Sequence, residues 1–174
     1  MKTAKSKTKP EEAPNRESGK TLVAYVTKGG ATGDAANIIA DTLREKCGLQ
    51  VDVVDLKKQP KPDIKPFSNI VVGGGVRAAK VYKEALNFVE QDLSGKRVAF
   101  FVCSGAAGNP LRHDEVTEKY ITQGLAAHNV QLVSKEAFGG CMRILGKSLF
   151  DKRDPAKIQA WAEELGKKFT EQVT

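Results

Sequence analysis

The chain has 174 residues and a formal net charge of +7, with 40% hydrophobic and 28% charged residues. This composition predicts one globular domain with one core, because domains commonly contain about 100 to 200 residues, and it excludes the collagen-like and disulfide-scaffold classes. The apolar runs are shorter than the about 20 residues that span a bilayer, and the N-terminus has no apolar signal segment, so we expect a cytoplasmic protein without a transmembrane segment.

The first 20 residues form a segment of their own. They carry six Lys or Arg residues against three Glu residues, a local net charge of +3. Because the segment lacks large hydrophobic side chains, we expect a disordered basic tail at residues 1–20 and a folded domain at residues 21–174. Aromatic residues make up only 6% of the chain. A base-stacking surface is therefore not expected, and no nucleic acid is predicted as a partner.

Beyond this tail, short apolar runs alternate with segments of helical periodicity. Strands are predicted at residues 21–27, 50–56, 69–72, 97–103 and 130–138. Helices are predicted at residues 33–47, around 85–93, around 116–125 and from Pro155 onward, where Asp154 precedes the proline as a cap. Three prolines between the second and third strands exclude a normal helix there.

Alternation of strands and helices predicts the fold class. Each amphipathic helix has to cover a face of the sheet, which requires parallel strands with right-handed crossovers. We therefore expect an α/β, doubly wound, five-stranded parallel sheet with strand order 2-1-3-4-5. Ligands of such sheets bind outside the carboxyl ends of the strands, between the first and third strands.

The loop after the first strand carries the clearest functional pattern. Its sequence is TKGGATG, with Thr27 and Thr32 at either side of adjacent glycines and a helix directly following. The N–H groups at a helix start lack intrahelical partners and favour an anion, so this turn predicts a phosphate site. It lacks both the GK[ST] ending of a Walker loop and the GxGxxG pattern. A tight turn without a ligand is the alternative.

The TKGGAT segment resembles the phosphate loop of the flavodoxins. The resemblance spans residues 21–169 and is closest to the flavodoxin-domain group that includes the menaquinone-dependent protoporphyrinogen oxidases. It is carried by VTKGGATGDAANIIADTL, VVGGGVRAAKVYKEALNFV, AFFVC and FGGCM. The resemblance implies a flavodoxin-like fold and FMN as the cofactor.

By the same resemblance, two groups of residues would bind FMN. The phosphate would be held by Thr27, Lys28, Gly29, Gly30, Ala31 and Thr32. The flavin ring would be flanked by Gly74, Gly75, Val76, Arg77 and Ala78 on one side and by Ser104, Gly105, Ala106, Gly108 and Asn109 on the other.

Two departures from typical flavodoxins affect the predicted function. The ring-flanking segments offer only Tyr82 as an aromatic residue, and small residues would leave one face of the ring open to a substrate. The carboxyl edge is basic instead of acidic, with Lys28, Arg77, Lys80, Arg112, Arg143, Lys147, Lys152 and Arg153 in or beside its loops. We expect this edge to attract an anionic or quinone substrate or an acidic redox partner protein. A solvated basic face without a ligand is the alternative.

The connection at residues 139–154 is longer than the about 2 to 6 residues usual between a strand and a helix. Its CMRILGKSLF segment mixes large apolar residues with Arg143 and Lys147. It could form a small amphipathic lid that contacts a quinone, a membrane surface or a partner protein. The favoured alternative is a short helix that packs on the core.

Three further candidates carry less weight. Asp55 lies where a Rossmann domain binds ribose, but a turn residue is the favoured interpretation without GxGxxG, and NAD stays a minor alternative. Cys103 and Cys141 end neighbouring predicted strands, where packing is favoured over a redox pair. His113 and His128 lie at opposite ends of the third helix, so no metal site is predicted; His113 fits a helix start better than a proton donor.

The function expected from the sequence is electron transfer by bound FMN to a quinone, porphyrinogen or protein acceptor. The sequence leaves open whether the chain is an enzyme or only an electron carrier, and it identifies no catalytic residue. The alternative from a different class is a flavodoxin-shaped binding module that has lost its flavin.

Overall fold

The computed structural model describes residues 19–171. The basic tail predicted at residues 1–20 therefore lies almost entirely outside the described residues. Gly19 and Lys20 are the exceptions, and Lys20 is already the first residue of strand β1.

Eight strands and five helices follow one another along the described chain. The strands are β1 Lys20–Val26, β2 Val51–Asp55, β3 Phe67–Arg77, β4 Lys80–Val81, β5 Arg97–Ser104, β6 Leu132–Gly139, β7 Cys141–Ile144 and β8 Lys147–Asp151. The helices are α1 Ala31–Cys47, α2 Lys83–Val89, α3 His113–Thr117, α4 Gln123–Leu125 and α5 Pro155–Thr170. As the prolines predict, no helix joins β2 to β3.

The main sheet has the predicted topology. Its parallel strands run in the order β2-β1-β3-β5-β6. Strand β4 pairs only with the end of β3, so the five long strands reproduce the predicted order 2-1-3-4-5. The α/β fold class is confirmed.

Helices cover both faces of this sheet, as a doubly wound fold requires. Alternate residues of β1 point into two different buried clusters. Val23 packs with α1 and α5 on one face of the sheet, and Leu22 packs with α2 and the α3–α4 region on the other face. Neighbouring residues Phe100 and Phe101 of β5 are fully buried in opposite clusters. This continuous burial explains the unbroken apolar run that predicts a central strand.

Capping residues end the long helices where the sequence indicates. Helix α1 ends at Gly48, whose φ of 66° is left-handed and whose N–H bonds to the carbonyl of Leu43. Helix α5 begins after Asp154, whose carboxylate accepts a hydrogen bond from the N–H of Lys157 at 3.1 Å.

Strand β3 continues five residues beyond its predicted end at residue 72. The sequence indicates a loop at the three glycines 73–75, but all three are buried in the strand. The ring of Phe101 occupies the space that a Cβ on Gly73 would need, and the Tyr82 ring lies 2.7 Å from where a Cβ on Gly75 would be. Gly73 and Gly75 therefore admit neighbouring aromatic rings and Gly74 admits Val81, so the three glycines do not mark a turn.

The third predicted helix is not uniform. Helices α3 and α4 are joined by a π-helical turn at Glu118–Thr122. The buried residues Val116 and Ile121 are five positions apart, which a π turn brings onto one face.

The expected short helix after the fifth long strand is wrong. Residues 141–151 instead form an antiparallel hairpin, β7–β8, which is a separate two-stranded sheet. Leu145 and Gly146 make its turn with φ angles of 49° and 76°. Two left-handed residues in succession are what a tight hairpin turn needs.

Candidate functional site

The loop between β1 and α1 is closed by its own threonine. The hydroxyl of Thr27 accepts a hydrogen bond from the N–H of Gly30 at 2.9 Å. Gly30 has a left-handed φ of 94°, and the space beside its Cα is open to 4 Å. The loop therefore presents bare backbone to the carboxyl edge of the sheet, as a phosphate cradle does.

The start of α1 adds unpaired donors to this cradle. The helix begins at Ala31, and within the described chain no side chain caps its N-terminus. The N–H groups of the first turn point out of the helix, where the helix dipole favours negative charge. Thr32 is 2% exposed and Ala31 is also buried, while Lys28 and Gly29 are exposed.

A cleft of about 230 Å³ opens beside this loop. Tyr82 lies in its wall, and the Lys28 ammonium sits 4.7 Å from the centre of the Tyr82 ring. Tyr82 is the cap residue before α2 and is not part of the helix. Burial raises the pKa of the Tyr82 phenol, while nearby Arg77 opposes that rise. The full lining is Lys28, Gly29, Val76, Arg77, Tyr82, Cys141, Met142, Arg143 and Ile144.

This lining brings together two of the three predicted segments. Lys28 and Gly29 come from the first loop, and Val76 and Arg77 from the end of β3. The wall formed by Cys141–Ile144 of β7 was not foreseen. Gly146, between two short runs of four residues, is the one turn signal of a hairpin here, since neither CMRI nor KSLF alternates strictly between apolar and polar residues.

The third predicted segment, residues 104–109, lies against the hairpin and does not line the cleft. The Phe150 ring comes within 2.7 Å of where a Cβ on Gly105 would be, and Lys152 packs in the same way on Gly108. Ser104 is buried, and its carbonyl accepts the N–H of Gly140 at 3.0 Å. Ala106 is half-buried and Asn109 exposed. Their assignment to the flavin ring stays a prediction, as it does for Gly74, Gly75 and Ala78.

Positive charge dominates the mouth of the cleft. Among the described residues, Lys28, Arg77 and Arg143 have no carboxylate within 4 Å. Other members of the predicted basic set are neutralised, since Arg112 pairs with Glu115 at 3.3 Å and Arg153 pairs with two carboxylates. The three cleft cations therefore carry unneutralised charge, as do Lys80, Lys147 and Lys152 of the same set within the described residues.

Cys103 and Cys141 lie at this site in different environments. Cys103 is buried, and that burial raises the pKa of its thiol to about 12, against a smaller lowering by the Thr32 hydroxyl. Cys141 is half-buried, with its sulfur 3.8 Å from the carbonyl oxygen of Gly29. Both are free thiols, and Cys103 has the packing role that the sequence favours.

The remaining candidates have structural partners. Asp55 ends β2, and its carboxylate accepts the N–H of Lys57 at 3.0 Å, which confirms the turn role. His113 begins α3 and bonds to Glu136 and Asp114. Within residues 19–171 no three His, Cys, Asp or Glu side chains are grouped to hold a metal ion. The helices of that range also include none with the length and apolarity that a bilayer crossing requires.

A doubly wound parallel sheet with a glycine loop and an uncapped helix at its switch point defines the class of α/β domains that bind phosphate-bearing cofactors. The chain belongs to the flavodoxin-domain family, whose model matches residues 22–168. It is also 26% identical over 104 residues to the Escherichia coli protein named protoporphyrinogen IX dehydrogenase [quinone]. That match covers 58% of this chain and 57% of the relative, so the two are similar over little more than half their lengths.

Solved structures share the fold at low identity. Oxidised flavodoxin 1 from Bacillus cereus has a TM-score of 0.57 at 19% identity, covering 89% of this chain and 99% of that one. Rubredoxin oxygen:oxidoreductase from Desulfovibrio gigas has a TM-score of 0.62 at 13% identity, covering 86% of this chain and 36% of that one. The flavodoxin-like fold predicted from the sequence is therefore confirmed.

Proposed function

We propose that this chain binds FMN at the carboxyl edge of its sheet and transfers electrons to a quinone, a small anionic acceptor or a redox partner protein. The observation that carries the proposal is the cradle at Gly30, where a loop closed by Thr27 meets an uncapped helix beside a basic cleft. In this proposal the protein works in the cytoplasm, which its three free thiols favour.

The first loop and α1 would hold the phosphate. Backbone N–H groups of residues 28–32 other than that of Gly30, which already bonds to Thr27, would donate to it, and Lys28 would supply a positive charge at the rim. The hydroxyl of Thr27 already fixes Gly30, so its role is to keep the loop in shape. A loop that is shaped before binding loses little conformational freedom when the ligand arrives.

The cleft would take the flavin ring. When bound, FMN supplies a ring that accepts and returns one or two electrons. Tyr82 offers an aromatic surface to that ring, and Val76 and Met142 offer apolar contacts. Arg77 and Arg143 add positive charge, which stabilises a reduced anionic ring and raises its reduction potential.

The same charges support an anionic or quinone acceptor. The basic cleft mouth would attract an anion or an acidic protein surface at long range. The name of the Escherichia coli relative includes both a quinone and a porphyrinogen. The carboxylates of a porphyrinogen fit the positive charge of the cleft mouth, and the apolar ring of a quinone fits the apolar hairpin wall. Both substrates stay part of the proposal.

Titration with FMN, followed by quenching of flavin fluorescence, tests the assignment. We expect saturable binding of FMN in preference to FAD and NAD, and a loss of affinity in Thr27→Val. Thr42→Val is the matched control, because the Thr42 hydroxyl also makes one hydrogen bond, at 2.7 Å to Ile38, but lies inside α1. Failure of the wild type to bind FMN at high concentration would refute the proposal.

One observation favours a second candidate, a binding module without flavin. Phe150 and Lys152 pack on Gly105 and Gly108, in the segment predicted to flank the ring. With this packing, the ring has only the cleft of about 230 Å³ available. Phe150→Ala separates the two candidates. FMN affinity higher than that of the wild type would identify a flavin protein whose hairpin has to move, whereas absence of FMN binding in both the wild type and Phe150→Ala would favour the module.

A further inference from the structure

The β7–β8 hairpin carries most of the exposed large apolar side chains of the described chain. Five large hydrophobic side chains are exposed in residues 19–171, and four of them lie here. Their exposed fractions are 43% for Met142, 52% for Ile144, 98% for Leu145 and 59% for Leu149. The fifth, Leu111, lies on a different segment. An apolar patch of this kind usually marks an interaction site.

The base of the hairpin is packed on the domain, while its apex is not. At the base, the Phe150 ring lies on Gly105 and the carbonyl of Cys141 lies beside Gly29. Beyond that base the hairpin pairs only with itself, because it forms a sheet separate from the main one. Strands of four and five residues extend by about 13 to 17 Å at ~3.3 Å per residue. The turn at Leu145 and Gly146 is thus the exposed tip of the hairpin, beyond the part of β7 that lines the cleft.

Leu145 is an unfavourable residue for the turn it occupies. Its φ of 49° is left-handed, a conformation that Asn and Gly adopt with less strain than leucine. Its side chain is also 98% exposed, so no contact within the described residues compensates for the strain. The turn therefore places a large apolar side chain at the tip of the hairpin and accepts backbone strain at that residue.

The charge of the tip limits what it can contact. From Cys141 to Phe150 the only charged residues are Arg143 and Lys147, both cationic. The next carboxylate, Asp151, is paired with Arg153 at the hairpin base. An apolar tip with cationic flanks and no free carboxylate complements a surface that is anionic outside and apolar beneath.

We propose that this hairpin docks the protein on an anionic phospholipid membrane surface. The tip would enter the boundary between headgroups and acyl chains, which amphipathic elements penetrate by about 5 to 10 Å. Arg143 and Lys147 would lie at headgroup level, where each cation strengthens binding to anionic lipid. An exposed hairpin tip suits a deformable bilayer better than a rigid partner, which would need a matching pocket. Docking would turn the cleft, whose wall includes β7, toward the lipid.

Vesicle flotation tests the proposal with the full chain. We expect binding to vesicles containing one third phosphatidylglycerol and little binding to phosphatidylcholine alone. Leu145→Asn should reduce the partition coefficient about tenfold, because it removes the apolar tip. Since Asn suits the left-handed turn, this variant should fold at least as stably as the wild type. Leu111→Asn is the matched control, since Leu111 is 93% exposed outside the hairpin.

Charge variants test the second half of the argument. Arg143→Gln and Lys147→Gln should each reduce binding about fivefold, which corresponds to about 1 kcal/mol per cation near an anionic surface. Lys46→Gln, at the exposed end of α1, should have no such effect. All variants keep the basic residues 2–20, so a loss cannot be assigned to that segment.

Three results would overturn the proposal. The first is that the wild type does not bind anionic vesicles, and the second is that Leu145→Asn and Leu111→Asn lose vesicle binding equally. The third is that the wild type forms a dimer in solution and does not bind vesicles, and that Leu145→Asn converts the dimer to a monomer. The last result would assign the tip to a second copy of the chain. Because vesicle binding is measured without FMN, its failure is distinct from a failure of flavin binding.

Discussion

Arg153 joins the end of the hairpin to the start of the first helix. Its Nη1 lies 2.7 Å from Asp34 Oδ2 in the first turn of α1, and its Nε lies 2.9 Å from Asp151 Oδ1 at the end of β8. The arginine therefore fixes the base of the hairpin relative to the proposed phosphate loop. This connection holds the β7 wall of the cleft in place.

Loss of this connection should loosen the hairpin without unfolding the domain. In Arg153→Gln we expect chymotrypsin to cut within residues 141–151 about threefold faster or more, because local opening becomes easier. Limited proteolysis with mass mapping measures this rate. Arg112→Gln removes a comparable exposed pair, with Glu115 at 3.3 Å, and should leave the rate unchanged. Equal rates in the two variants would contradict the assigned role.

Acid should break the same connection. Hydrogen bonds from Arg153 lower the pKa of Asp151 to about 2, below its ordinary value. A carboxylate with a lowered folded-state pKa stabilises the fold above its unfolded pKa of about 3.9, and this contribution is lost as the pH falls toward 2. An NMR titration of the Asp151 carboxyl carbon should show this midpoint. In Arg153→Gln the midpoint should return toward about 3.9; an unchanged midpoint would rule out Arg153 as the cause.

The sequence predicts the sheet order and the position of the first loop because both depend on strong local signals. Apolar runs covered on both faces identify the long strands, and Gly48 and Asp154 mark helix ends through their own backbone chemistry. The first loop is recognisable for the same reason, since its threonines and glycines act within a few residues of one another.

The parts that sequence reasoning misses depend on distant contacts. Glycines 73–75 indicate a loop in the sequence, because nothing local shows that the ring of Phe101 on the neighbouring strand β5 lies beside Gly73 and that the Tyr82 ring folds back on Gly75. The hairpin was missed because Leu145 stands where Asn or Gly usually signals such a turn. The β7 wall of the cleft could therefore not be assigned to the site.

Thiol reactivity should separate the three cysteines. Burial raises the pKa of Cys103 to about 12, so almost no thiolate forms at pH 8. With iodoacetamide and peptide mapping we expect Cys141 to be labelled and Cys103 to stay unmodified until the protein is denatured. Cys47 should react slowly, since burial also raises the pKa of its thiol. Labelling of Cys103 in the native protein would show that the end of β5 opens to solvent.

Gly30 should be required for the ligand as well as for the fold. Gly30 and Gly95 both have left-handed φ angles, of 94° and 75°, and open space where a Cβ would be. Alanine at either position should lower the free energy of unfolding by about 1 kcal/mol through backbone strain. Only Gly30→Ala should also weaken FMN binding, by about tenfold. Urea unfolding and FMN titration of both variants measure the two effects, and equal FMN affinity in the two would remove Gly30 from the cradle.

The cations of the cleft should set the reduction potential of bound FMN. Arg77 and Arg143 line the cleft and have no carboxylate within 4 Å among residues 19–171. Positive charge stabilises a reduced anionic ring, so Arg77→Gln and Arg143→Gln should each make the potential more negative, on the order of 20 mV. Lys46→Gln removes a charge from the exposed end of α1 and should change the potential little.

Spectroelectrochemical titration at two salt concentrations measures these potentials. High salt should reduce the shifts in part, because exposed charges are screened over about 8 Å at physiological ionic strength. Identical potentials in Arg77→Gln, Arg143→Gln and Lys46→Gln would show that the ring binds away from the cleft. If FMN still bound in that case, the cradle at Gly30 would hold the phosphate while the ring lay on the side of residues 104–109, with Phe150 displaced from Gly105.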